Sequence, residues 1–119
     1  MKFTDSHEWL KVEQDLGVMG ITTHAQKELG EIVSIELPQV GSHVQKGDPI
    51  CVLESTKAAV DVYAPISGEI IEVNTKLLES VDLINTSSEK EGWLCKIKVL
   101  NHSDLEALLS KEAYEKSLA

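Results

Sequence analysis

Lys57 stands at the midpoint of Val52-Leu53-Glu54-Ser55-Thr56-Lys57-Ala58-Ala59-Val60-Asp61-Val62, with Gly47 before the run and Gly68 after it. Two short apolar stretches around a polar centre predict a β-hairpin whose tip, residues 55–58, displays a lysine. A cation at such a tip adds nothing to a core, and its long stem leaves the ε-amine open to covalent modification. The chemistry implied is amide attachment of a prosthetic group. A tight turn fixes the amine for a ligase, small neighbours leave the ligase room, and the finished amide loses the charge. The other lysines lack this framing and read as solvated surface.

Two swinging-arm groups, biotin and lipoate, are attached in this way. Biotin carriers typically bracket the lysine with methionines; Thr56 and Ala58 stand there instead, which disfavours biotin. Glu54, three residues before the lysine, and Gly68, eleven after, fit the lipoyl pattern. No other residues offer comparable chemistry. Cys51 and Cys95 lie in apolar, strand-like runs outside any C-x-x-C spacing, with no basic cluster to activate a thiol, and read as small buried hydrophobes. An enzyme would need a nucleophile with a base, and none is evident. His7, His24, His43 and His102 do not fall at metal-ligand spacing, so no metal site is expected; they read as surface or turn residues, with His7 supporting Glu8. Trp9 and Trp93 read as packing residues. Gly41, Gly47 and Gly68 read as turn glycines, and no phosphate loop is present.

The elements that must position Lys57 are mostly short strands. His7 to Glu13 and Gly17 to Ile21 predict two strands joined by a turn near Asp15 to Gly17. Thr22 or Thr23 offers the N-cap of a short helix that stops at Gly30. Glu31 to Leu37 predicts an alternating strand ended by Pro38, and Gly41 to Asn74 a succession of short strands broken by turn residues every several positions. In the hairpin, Val60 and Val62 face inward while Asp61 and Tyr63 face out. Trp93 to Val99 alternates with its lysines on the wet side. Near the C-terminus, helices are expected over about 103–118: Ser103-Asp104-Leu105-Glu106 has the form of a capping box, Leu105, Leu108 and Leu109 supply an apolar stripe, and Tyr114 and Leu118 are available to pack on the sheet. The fold class is mainly β (α+β), a sandwich or flattened barrel with short peripheral helices and a helical tail.

With 119 residues the chain reads as a single domain, 1–119, large enough to bury a core without staples. Eleven Lys plus Arg against 20 Asp plus Glu give a net charge of −9, which disfavours nucleic acid and anionic membrane surfaces and suits basic docking faces on protein partners. Neither an apolar signal core nor a span-length apolar stretch is evident, so a soluble cytoplasmic setting is the expectation.

Taken together, His7-Glu8-Trp9, Gly20-Ile21-Thr22 with Ala25-Gln26 and Leu29-Gly30, Val33 to Pro38 with Val40-Gly41, Glu54 to Ala59, Pro65-Ile66-Ser67-Gly68-Glu69, Val73-Asn74, Gly92-Trp93-Leu94 and Lys96-Ile97-Lys98 resemble, in order, the signature segments of the glycine cleavage system H protein family. The resemblance runs from Phe3 to Tyr114. It implies a lipoyl-domain-like barrel-sandwich hybrid and a non-catalytic carrier with lipoate on Lys57, recognised through Glu54, Ser55, Thr56 and Ala58. The implied partners are glycine decarboxylase (pyridoxal-phosphate-dependent), aminomethyltransferase (tetrahydrofolate-dependent), dihydrolipoamide dehydrogenase, and a lipoate ligase or octanoyl/lipoyl transferase. It also implies a cleft that shelters the loaded arm from water, for which Glu8, Ser6 and Asp61 are the candidates, a carboxylate there holding the amine.

The chain departs from the family's habit at Thr56, commonly valine, at Val81, commonly proline, and at the turn Ser87-Ser88-Glu89-Lys90. The last is the place where partner docking would differ. The alternatives are an H-protein-like relay that supplies lipoate to 2-oxoacid dehydrogenases or serves another lipoamide-dependent redox system, then a biotin carrier, then an unmodified interaction domain.

Overall fold

A computed structural model describes residues 1–119. Its first long element is the hairpin of β2 (Glu8–Glu13) and β3 (Leu16–Ile21), closed by Gln14 and Asp15 with Gln14 at φ 56. The turn therefore falls earlier than the expected Asp15 to Gly17. Gly17 belongs to the strand opposite Val12, and a Cβ there would meet Leu10 Cδ1 at 2.8 Å. Close packing, not turn chirality, requires that glycine.

The chain then forms α1 (Thr23–Leu29), whose N-cap Thr22 accepts from Ala25 N and whose C-terminal Gly30 donates to Gln26 O. β4 (Ile32–Glu36) follows, its alternation interrupted by a bulge that leaves both Val33 and Ser34 exposed between buried Ile32 and Ile35. Next come β5 (His43–Val44), β6 (Pro49–Ser55), β7 (Ala59–Tyr63), β8 (Gly68–Val73) and β9 (Cys95–Val99). With β1 (Lys2–Phe3) they make two antiparallel sheets, a six-stranded one ordered β1-β2-β3-β9-β8-β5 and a three-stranded one ordered β4-β6-β7. The molecule is flattened, 37 × 36 × 21 Å. One core cluster joins the sheets: Leu53 and Val62 from the small sheet, and Met19, Ile70 and Ile97 from the large one, are at most 2 % exposed. Each such side chain contributes about 1.5–3 kcal/mol by leaving water.

Gly68 is a strand residue of ordinary backbone and not a turn glycine: a Cβ there would stand 2.2 Å from Lys98 O. Gly41 and Gly47, at φ 92 and φ 90, do serve turns. α2 (Asp82–Ser87) was not foreseen in the sequence. Its Asn85 accepts from Ile32 N at 2.8 Å and donates to Ile32 O at 3.0 Å, so a side chain covers backbone that the edge strand β4 would otherwise leave unpaired.

The capping box at Ser103 does not form. Asn101 is the N-cap, its Oδ1 accepting from Ser103 N, and His102–Ala107 is a 3₁₀ segment. The Asn101 amide oxygen takes the Ser103 N–H and also accepts from the Ser103 hydroxyl at 2.6 Å, which draws that hydroxyl away from the capping role. Extended backbone at Leu108 ends that segment, Phe3 and Leu109 exchange backbone hydrogen bonds, and α3 (Lys111–Ser117) starts at the N-cap Ser110. The helical region expected over 103–118 is thus two pieces. Tyr114 packs, stacked on Phe3 at 4.7 Å between ring centroids, while Leu118 stays 36 % exposed. No helix is long and apolar enough to cross a membrane.

Candidate functional site

The β6–β7 hairpin is closed by its own serine. Ser55 N donates to Ala58 O at 2.8 Å, and Ser55 Oγ accepts from the backbone N of Lys57 and of Ala58, both at 3.1 Å. A hydroxyl held this way pre-forms a tight turn without glycine. Thr56 N donates to Glu31 O at 3.1 Å, which ties the tip to the segment entering β4. Of the hairpin residues singled out in the sequence, Glu54, Thr56, Lys57 and Ala58 are exposed, and Ser55 is half-buried with its hydroxyl turned into the loop.

The Lys57 amine makes no ion pair within 4.0 Å. Its stem runs beside Gly30: a Cβ built there would lie 3.4 Å from Lys57 Cε and 3.7 Å from Nζ. The cation therefore points along the C-terminal end of α1.

One residue earlier, at Leu29, begins a cleft of about 170 Å³ between α1 and the hairpin. Ala25, Leu29, Leu53, Val60 and Val62 give it apolar walls, and Ser6, Glu8 and Asp61 all line it. The structure thus brings the three arm-cleft candidates to one place. A larger hollow of about 470 Å³ around Asn74 and Trp93 contains none of these residues.

Glu8 is the unusual member, a carboxylate only 2 % exposed. Thr4 Oγ1 and Ser6 Oγ each donate to its Oε1 at 2.6 Å, and Tyr63 N reaches Oε2 at 3.4 Å. Burial pushes the Glu8 carboxyl above its ordinary range; the hydrogen bonds from Ser6, Thr4 and Tyr63 oppose the shift without cancelling it. The apolar character of Trp9 and Leu10 makes them legible as core, but nothing in the pattern marks Glu8 as buried, since its partners come from the turn before β2 and from Tyr63 at the end of β7. Asp61 and Ser6 are exposed on the rim.

The cysteines are placed as expected. Burial raises the Cys51 thiol to about 12 and pushes Cys95 higher still, so neither is a nucleophile at neutral pH. Trp9 is buried and its Nε1 donates to Ser88 O at 2.9 Å; Trp93 is half-buried with Lys96 Nζ 5.2 Å from its ring centroid.

Histidine spacing gave no ligand set, yet the β2–β3 hairpin brings the turn before β2 against the start of α1. Thr22 N donates to His7 O at 3.0 Å, and the donor atoms of His7, His24 and Glu28 fall within 4.8 Å of one another. The only advance signal was the i,i+4 spacing of His24 and Glu28, which pair at 2.9 Å.

The family model described as "Glycine cleavage H-protein" matches residues 1–119. The chain is 48 % identical over 118 residues to the glycine cleavage system H protein of Carboxydothermus hydrogenoformans, covering 99 % of this chain and 91 % of that protein. It is also 48 % identical over 118 residues to the protein of the same description from Thermotoga maritima, covering 99 % and 95 %. Among solved structures, a glycine cleavage system H protein from Mycobacterium marinum superposes with a TM-score of 0.88 at 32 % identity, over 98 % of this chain and 94 % of that one.

Proposed function

The chain belongs to the glycine cleavage H-protein family, and from that membership we propose that it is a lipoylated shuttle, with lipoate in amide linkage to Lys57 and no catalysis of its own. The observation that carries the reading is an exposed, unpaired amine on a hairpin tip fixed by Ser55 and Thr56, directed along the rim of a cleft with apolar walls and a buried carboxylate. Lipoate bound at Lys57 would supply a disulfide able to carry the aminomethyl group of glycine between glycine decarboxylase and aminomethyltransferase, its dithiol being reoxidised by dihydrolipoamide dehydrogenase.

The residues present suit such an arm. Leu53, Val60 and Leu29 offer apolar contact to a hydrocarbon chain and exclude water, and Glu8 offers a carboxylate to an amine at the closed end. Ser6 and Thr4 hold that carboxylate in place, so it needs no reorganisation to accept a charge. Asp61 adds a second acidic group at the rim. Glu54, Ser55, Thr56 and Ala58 form the surface a lipoate ligase or octanoyl/lipoyl transferase would read.

The Ser87–Lys90 turn, where the sequence departs from the family's habit, is built into this fold. Ser88 O holds the Trp9 indole, and Glu89 Oε2 accepts from Thr23 N at 2.8 Å at the start of α1. Ser88 and Glu89 answer to contacts within the fold, which gives no reason to prefer the relay reading, while Lys90 is exposed.

Intact-mass spectrometry of the chain incubated with lipoate and a lipoate ligase tests the proposal. The expected result is a gain of one lipoyl group that vanishes in Lys57→Arg; no gain overturns it, and a biotin-sized gain under biotinylating conditions favours a biotin carrier. Glycine–bicarbonate exchange with glycine decarboxylase then separates shuttle from relay. Lipoylated protein that supports no exchange but donates lipoate to a 2-oxoacid dehydrogenase subunit would overturn the glycine assignment.

A further inference from the structure

We propose that His7, His24 and Glu28 bind a single divalent transition-metal ion of the zinc class at the mouth of the cleft. Their donor atoms already lie within 4.8 Å of one another. A tetrahedral zinc ion with bonds of about 2.0–2.1 Å sets its ligands about 3.3 Å apart, so closing the site takes a movement of up to about 1.5 Å. The two ligands on α1 can supply it: the His24 and Glu28 side chains are 33 % and 64 % exposed and free to change rotamer.

His7 is the ligand that is already oriented. Its Nδ1 lies 2.7 Å from Tyr114 Oη, and Tyr114 Oη lies 2.8 Å from Thr22 Oγ1. Tyr114 is itself 4 % exposed and clamped on Phe3, so this partner does not wander. In the tautomer that carries its proton on Nδ1, His7 donates to Tyr114, Tyr114 donates on to Thr22, and the lone pair is left on Nε2. An outer hydrogen bond of this kind fixes ring and tautomer in metal-binding histidines. The backbone of His7 is also held in a left-handed conformation, φ 71, by bonds from its N to Thr4 O and from Thr22 N to its O.

A helix-surface His24–Glu28 pair is common and explains two members of the group. It does not explain a third donor, a histidine brought in from another element with its Nδ1 held by Tyr114. Two imidazoles and a carboxylate are the donor set that borderline divalent ions prefer. Both cysteines are buried in the core and cannot compete. The net charge of −9 favours a cation. Three protein ligands leave a fourth position open, and His7 and Glu28 also line the cleft.

Calorimetric titration of the untagged, unmodified full chain with zinc chloride tests this without reference to lipoate. One zinc per chain is expected, with at least a tenfold loss of affinity in His24→Ala and a 10–100-fold loss in Tyr114→Phe, while His43→Ala and His102→Ala bind as the parent does. Imidazole resonances of His7 and His24 should shift on zinc addition and those of His43 and His102 should not. His24→Ala removes a half-exposed side chain, and an unchanged metal-free melting curve will show that it folds. Absence of stoichiometric binding, or binding undiminished in a folded His24→Ala, overturns the site.

Discussion

Gly30 and Lys57 are neighbours in space, the lysine stem lying where a Cβ built on residue 30 would stand 3.4 Å from its Cε. The C-cap of α1 and the proposed attachment site therefore lie side by side. Gly30 sits at φ 82, ψ −157, a region open in practice only to glycine. Gly30→Ala is expected to cost about 1–3 kcal/mol in urea denaturation. At 3.4 Å the added methyl would only touch the end of a flexible stem, so lipoylation of Lys57 in a timed mass assay should keep the parental rate; Thr56→Val, at the exposed tip, should change neither stability nor rate.

Gly68 carries a different prediction. With Lys98 O at 2.2 Å and Ile97 Cγ2 at 2.5 Å from its would-be Cβ, it is where β8 and β9 approach too closely for any side chain. Gly68→Ala should lose about 3 kcal/mol or more, read as a lowered midpoint in thermal and urea melts. A variant of native stability that failed to be lipoylated would instead make Gly68 a recognition residue.

Glu8 sets a pH dependence. Burial raises its carboxyl above the ordinary 4.5, so the folded chain holds that proton more tightly than the unfolded one. Its contribution to stability is full below 4.5 and is lost as pH rises through the folded value. Glu8→Gln has no such loss. The melting temperature of the variant relative to the parent, measured with a chelator present, should rise from pH ~4 to pH ~7; a flat difference would contradict the buried carboxylate.

The same residue has a functional test that rests on the shuttle reading. Glu8→Ala should be lipoylated at the parental rate yet release ammonia faster from the isolated carrier after loading by glycine decarboxylase. An unchanged release rate removes Glu8 from the cleft's work.

The thiols supply a fifth prediction. With Cys51 raised to about 12 and Cys95 higher, neither should react with a disulfide reagent at pH ~8 in the native protein, and both should react in denaturant. Thiols titrated in native, reduced, lipoylated protein would then belong to the arm alone. Stoichiometric reaction of the native unmodified chain would contradict this burial.

The parts legible in the sequence are those with a local cause. The hairpin at Lys57 follows from alternation, and α1 from a threonine cap and a glycine stop, and both stand where those signals put them. What was illegible has a tertiary cause. α2 has no side-chain cap and docks through Asn85, which mimics a neighbouring strand at Ile32. The Ser103 box lost to Asn101 because the amide oxygen engages both the N–H and the hydroxyl of Ser103. Glu8 is buried because hydroxyls from Thr4 and Ser6 meet it there, and His7 reaches α1 because the β2–β3 pairing folds one onto the other. Spacing along the chain records none of these encounters.

The hydrogen bond from Thr56 N to Glu31 O makes the hairpin tip a fixed pivot, braced against the segment that enters β4. An arm swung from a fixed pivot sweeps a volume set by its own length, not by the wagging of a loop. On the shuttle reading, its frequency of arrival at a partner's active site would be governed by the angle at which the whole body docks. Stiffening the hairpin further would gain nothing, whereas a small tilt of the docked body would move the entire sweep on or off its target.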